Sequence, residues 1–104
     1  MNYKDSSDWN DINELRCLVI LKKLISENFP RNRQMELCRE VARKSNLSSG
    51  SISAKVSNFK SLAGINNKSN ASNNSKIIYK KYHQYSVVEL EKLISELITN
   101  NQTK

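Results

Sequence analysis

The chain has 104 residues, of which 38% are hydrophobic, and a formal net charge of +7. That is enough for one domain around one modest core, with the apolar content of a folding chain and not of a disordered one. No run of about 18 apolar residues is present to span a bilayer, and residues 1–8 lack the basic start and apolar stretch of a signal peptide, so the expected location is the cytoplasm.

A first helix is expected over residues 9–27. Ser7 or Asp8 can accept hydrogen bonds from its first backbone N–H groups, and Asp8 and Asp11 suit the positive end of its dipole. Ile12, Leu15, Leu18, Val19, Leu21, Leu24 and Ile25 recur at spacings of three and four. The stripe is broad, which predicts packing on more than one side, with Trp9 as a core anchor. Pro30 ends the segment, because a residue before proline avoids the helical region.

A second helix is expected over residues 32–45. Met35, Cys38, Val41 and Ala42 form its apolar stripe, and Arg31, Arg33, Arg39, Arg43 and Lys44 lie off it. Residues 46–49 then read as a short turn, with Ser49 able to cap a third helix over residues 49–63. In that helix Ile52, Val56, Phe59 and Ala63 fall within a sector of about 60°, at about 100° per residue. The opposite face carries Gly50, Ala54, Ser57, Asn58 and Ser61, flanked by Lys55 and Lys60, with Ser51 and Ser53 near the start. Such a face is small, polar and free of acids. Short side chains permit close approach to a base-pair edge, an amide can read one, and lysines reach phosphates.

Residues 64–76 are rich in Asn and Ser, and predict a polar loop. A short helix is expected over residues 77–82, its tyrosines packing inward. The last helix is expected over residues 86–99, opened by the Ser86-x-x-Glu89 capping box, with Val87, Leu90, Leu93, Ile94, Leu97 and Ile98 as its stripe. That stripe either folds back on the first helix or pairs with its copy in a second chain, which leaves monomer and homodimer both open. Folding back is the preferred outcome, since the broad first stripe needs cover. Residues 100–104 are expected to fray.

The charge is segregated along the chain. Residues 1–30 carry four Lys/Arg and five Asp/Glu, residues 31–82 eleven and two, and residues 83–104 two and three. The whole excess therefore lies in the middle, where clustered cations can displace counterions from a phosphate backbone. Catalysis has little to work with. His83 is the only histidine, Gly50 and Gly64 are the only glycines, and Cys17 and Cys38 sit in apolar helical patterns. A metal site lacks ligands, a Cys-His pair lacks an orienting partner and a phosphate loop lacks glycine. The chain is expected to be a binding protein without catalytic residues, metal or cofactor, its thiols reduced and unpaired.

Three helices ending in a small-faced third predict an all-α fold: a helix-turn-helix or homeodomain-like core over about residues 9–63, then the polar loop and the C-terminal helices at 77–99, in a single domain. Gly50-Ser51-Ile52-Ser53-Ala54-Lys55-Val56-Ser57-Asn58-Phe59-Lys60-Ser61-Leu62 resembles a segment of the N-terminal DNA-recognition domain of bacterial HNH-type restriction endonucleases, matching it at Ile52, Lys55, Val56, Asn58, Phe59 and Leu62. Trp9, the Ser/Asn-rich stretch at 71–76, and Tyr79 and Tyr82 extend the resemblance over residues 9–82. No HNH nuclease domain follows, so the resemblance implies binding to double-stranded DNA without cleavage, as in a regulator or accessory factor of a mobile element or restriction-type defence system. The expected contact residues are Ser49, Ser51, Ser53, Ala54, Lys55, Ser57, Asn58, Lys60 and Ser61, with Arg31, Arg33, Arg43 and Lys44 before them. Asn58 reads a base edge or braces the fold; both roles are open. The alternative function is a protein–protein inhibitor or adaptor whose basic surface meets an acidic partner. RNA binding is a weaker third reading, since the aromatic sheet motif and GxxG loop of common single-strand modules are absent.

Overall fold

A computed structural model of the chain describes residues 9–66 and 71–102. It is all-helical in those residues, with five helices and no strand: α1 (Asp11–Ser26), α2 (Arg33–Arg43), α3 (Ser49–Leu62), α4 (Asn73–Tyr82) and α5 (Val87–Gln102). None of them is long and apolar enough to cross a membrane.

The ends of the helices follow local chemistry. Asn10 caps α1, its side-chain oxygen accepting from the Asn13 N–H at 2.9 Å. The expected caps Ser7 and Asp8 lie outside the described residues. At the other end the Phe29 N–H donates to the Leu24 carbonyl and the Asn28 N–H to that of Ile25, a Schellman closure with Asn28 left-handed at φ 63°. The helix thus stops at Ser26, ahead of Pro30. The same closure ends α3, where the Ile65 N–H donates to Lys60 and the Gly64 N–H to Ser61, with Gly64 at φ 78°.

Helix α1 starts after Asn10 and not at Trp9, and two further start points differ from expectation. Ser48, not Ser49, caps α3, because Ser48 is the extended residue whose hydroxyl accepts from the Ser51 N–H. Ser72 likewise caps α4 by accepting from the Ser75 N–H, so residues 73–76 belong to a helix and not to the polar loop. Residues 67–70 of that loop lie outside the described residues. The capping box of α5 is present: the Ser86 N–H donates to Glu89 Oε1 and the Glu89 N–H to Ser86 Oγ. Helix α5 runs on to Gln102, past the expected end at residue 99.

Helix α1 is the axle of the fold, packed against α2, α3, α4 and α5. Leu15, Cys17, Leu18, Val19, Ile20, Leu21 and Leu24 are all buried, so the helix is covered nearly all round, while Ile25 of the expected stripe remains exposed. Leu37, Cys38 and Val41 of α2, Ile52, Val56 and Phe59 of α3, Ile78 of α4, and Leu90 and Ile94 of α5 close on it. Met35 and Ala42 are only half-buried; Leu37 takes the inner position on α2. Helix α5 folds back on α1 and runs antiparallel to it, Glu91 meeting Lys23 and Ile98 lying near Arg16.

Both cysteines are free and fully buried. Burial pushes the Cys17 thiol up, and the neighbouring Cys38 adds to the shift. Burial also raises Cys38, against the opposing effects of the Ser53 hydrogen bond and Lys60. Thiolate is the reactive form, so both thiols are expected to resist Ellman's reagent in the folded protein at mildly alkaline pH and to react fully once denatured. Non-reducing mass spectrometry is expected to show two free thiols. Rapid labelling of either one, or a Cys17–Cys38 bond, contradicts this.

Candidate nucleic-acid interface

Helix α3 lies on α1 with α2 along one side and α4 along the other. Its side chains fix this arrangement. On the α2 side, the Gln34 amide donates to Ser53 Oγ at 2.9 Å, and Lys60 Nζ donates to Gln34 Oε1 at 2.6 Å. On the α4 side, Lys55 Nζ donates to Ser75 Oγ at 3.0 Å, and the Phe59 and Tyr79 rings lie 6.5 Å apart. Ile52, Val56 and Phe59 point down to α1, fully buried. What faces outward is the ridge of Gly50, Ser51 and Ala54, exposed, and Ser57, Asn58 and Ser61, half-buried.

The flanks of this ridge are basic. Arg39 and Arg43, one turn apart on α2, are exposed on the same side as Met35 and Ala42, away from Leu37, Val41 and Lys44, which line a cleft with α1 and α5. Lys76 and Lys80, one turn apart on α4, are exposed on the side of Tyr79, the ring that meets α3. None of the four has an ion-pair partner among the described residues. Residues 41–88 contain no Asp or Glu at all. Like charges four apart on a helix repel by about 0.2–0.5 kcal/mol, so each pair carries a small standing cost that a polyanion would relieve.

The structure sorts the expected contact residues other than Lys55 into three groups. Ser51, Ala54, Ser57, Asn58, Ser61 and Arg43 come together on the ridge and its flank, with Ser49 half-buried at its head. Asn58 and Ser61 make polar contacts of their own. Ser53 and Lys60 sit on the α2 seam, Ser53 bonded to Gln34 and the Lys60 ammonium also 5.3 Å from the centre of the Phe29 ring. Arg31, Arg33 and Lys44 are apart from the ridge. Arg31 lies in the α1–α2 loop and Lys44 on the cleft. Arg33 is held by Glu27 at 2.9 Å and Glu36 at 3.2 Å, which keep its guanidinium charged.

Lys55 needs a correction. It was expected to reach phosphates, but its side chain is only 12% exposed. It lies against Ser75, 3.9 Å from the Glu14 carboxylate and 4.6 Å from the centre of the Trp9 ring. Glu14 is itself buried, and accepts from Ser75 Oγ at 2.6 Å and from the Asn74 amide at 2.9 Å. A carboxylate buried on α1 requires a cation, and Lys55 is the one that α3 brings to it. Trp9 covers the pair and so acts in packing.

Arg39, Lys76 and Lys80 were absent from the expected set. Arg39 could have been found from its one-turn spacing to Arg43. Lys76 and Lys80 could have been found by reading Ser72 as a helix cap. Among the described residues no group of three or more His, Cys, Asp or Glu side chains could hold a metal. Comparison with protein-family models, with curated proteins and with solved structures found no match to this chain.

Proposed function

We propose that this chain binds double-stranded DNA, with the outer ridge of α3 in the major groove and the cation pairs of α2 and α4 on the phosphates to either side. The observation that carries this reading is an uncharged ridge of small residues bracketed by Arg39 and Arg43 on one side and Lys76 and Lys80 on the other, with no Asp or Glu between residues 41 and 88. Small side chains admit the ridge to a groove, and flanking cations position it without reading sequence. Helices α1, α2 and α3 each pack on the other two, which supports a helix-turn-helix-like core with α3 as recognition helix. The resemblance to restriction-endonuclease recognition domains bears on packing more than on readout. Of its six matching positions Ile52, Val56 and Phe59 are core, Leu62 is half-buried and Lys55 faces inward, leaving Asn58 alone on the ridge. A regulator or accessory factor of a mobile element or a restriction-type system remains the role we favour.

Fluorescence anisotropy with duplex oligonucleotides tests the reading. Affinity is expected to fall steeply between about 50 and 200 mM salt, since each phosphate contact adds about 0.9 to the log–log slope. Replacing Arg39 and Arg43 with Ala, or Lys76 and Lys80 with Ala, is expected to lower that slope by about 2 in each case, for every sequence alike. Asn58→Ala is expected to lose about 1–3 kcal/mol on the preferred sequence only, if its amide reads a base. Absence of duplex binding at low salt rejects the proposal, and binding of an acidic protein by the same face would then favour the inhibitor or adaptor reading.

A further inference from the structure

Six large apolar side chains are substantially exposed among the described residues: Ile25, Phe29, Ile65, Ile77, Tyr85 and Val88. All but Ile77 lie at the same end of the bundle, where α1, α3 and α4 finish and α2 and α5 begin. Ile25 is in the last turn of α1, and Phe29 follows it, hydrogen-bonded to Leu24. Ile65 directly follows α3, hydrogen-bonded to the carbonyl of Lys60, whose ammonium sits 5.3 Å from the centre of the Phe29 ring. Tyr85 joins α4 to α5 beside His83, whose carbonyl accepts from Lys22 of α1. Val88, 74% exposed, is in the first turn of α5, one turn before the Glu91–Lys23 ion pair.

Beyond the closure of α1 the backbone here holds a second and a third residue at positive φ. Asn28, Phe29 and Asn32 all have positive φ, and Phe29 at 53° is a bulky residue in a region that L side chains avoid. The residue is nevertheless 38% exposed, with the Lys60 ammonium 5.3 Å from the centre of its ring. The loop therefore holds an aromatic ring at the surface at a conformational cost, which is the pattern of a binding anchor.

Charge selects the occupant. The acids at this end each have a partner: Glu27 and Glu36 share Arg33, Glu91 meets Lys23, and Glu89 accepts from the Ser86 N–H. Arg31 and Lys81 are exposed and meet no carboxylate among the described residues; Lys81 lies only against the Tyr82 ring. Two copies meeting end to end would set these cations against their like. A polynucleotide would satisfy the cations and leave the apolar side chains uncovered. Apart from Val88, the apolar residues at this end are only 38–49% exposed, so they suit a flat protein contact better than insertion about 5–10 Å into a bilayer. We propose that this end of the bundle, centred on Phe29, is a docking surface for an acidic, amphipathic helical segment of another protein. It is separate from the α3 ridge and does not depend on the DNA-binding reading.

Isothermal titration with a synthetic helical peptide of about four turns, with leucines along one face and glutamates elsewhere, tests this. The glutamate peptide is expected to bind at least about tenfold more tightly than its glutamine counterpart, and the lysine counterpart is expected not to bind. Phe29→Ser with Val88→Ser is expected to weaken binding at least about tenfold, and Val88→Ser alone to weaken it in part. Both should keep the helical circular dichroism of the parent, since neither Phe29 nor Val88 belongs to the buried core. Arg39→Ala with Arg43→Ala should leave peptide binding unchanged, even where it weakens DNA binding. Equal affinity for the three peptides, no binding of the glutamate peptide, or binding that survives Phe29→Ser with Val88→Ser overturns the proposal. So does preferential binding to phosphatidylglycerol vesicles, or a dimer in sedimentation that Phe29→Ser with Val88→Ser dissolves.

Discussion

A chain ending at Gln84 is expected to lose cooperative unfolding and to aggregate. The removed helix α5 contributes Leu90 and Ile94, both buried, and the half-buried Val87, Leu93, Leu97 and Ile98. Fully burying a side chain of this size contributes about 1.5–3 kcal/mol, so Leu90 and Ile94 alone account for about 3–6 kcal/mol. Their loss also uncovers the side of α1 that α5 packs against, including Val19 and Ile20 beside Ile94. A domain of this length has about 5–15 kcal/mol of net stability, so the truncated chain has little or none left. Light scattering together with thermal melting followed by circular dichroism provides the check. A soluble, sharply melting chain after truncation would show that α5 is peripheral to the core, and its conversion from dimer to monomer would identify α5 as a pairing element instead.

The part of the fold that was legible in the sequence is the part in which one stripe faces one neighbour. In α3, Ile52, Val56 and Phe59 of the narrow sector are buried on α1 as expected, while Ala63 at its end is half-buried. In α5 the capping box and stripe were readable for the same reason. The breadth of the α1 stripe signalled several neighbours, and four pack against it. The pattern could not rank Ile20 above Ile25, since burial at the end of α1 depends on where the other elements stop. The start of α4 was missed because Asn and Ser favour loops in isolation. Here Ser72 caps the helix, a local contact, and Ser75 is buried against Glu14, a long-range contact that overrides local preference. The same miss hid Lys76 and Lys80 from the interface. Charge counting found the basic middle of the chain but could not tell a cation facing water from one that answers a buried carboxylate.

That distinction gives the second large effect. Glu14→Ala is expected to destabilise the protein by about 3–5 kcal/mol, because it leaves the Lys55 ammonium buried without its carboxylate. Lys55→Ala is expected to cost less. Glu14 then keeps the hydroxyl of Ser75 and the amide of Asn74 as donors, and Asn74 also reaches Asp11 at 3.2 Å. Substituting both, Glu14→Ala with Lys55→Ala, is expected to cost less than the sum of the single changes, since the double variant buries no unpaired charge. Denaturant melts of the four proteins measure this coupling. The same variants separate Lys55 from the interface. A lysine on a phosphate lowers the salt slope by about 1 when removed. A lysine bound to Glu14 leaves that slope unchanged and affects affinity only through the folded fraction. With DNA binding measured well below the melting transition, Lys55→Ala is expected to match the parent in both affinity and slope, whereas replacing both Arg39 and Arg43, or both Lys76 and Lys80, by Ala is expected to lower both. A reduced slope in Lys55→Ala, at full folding, would mean that the side chain leaves Glu14 for the phosphate when DNA is present.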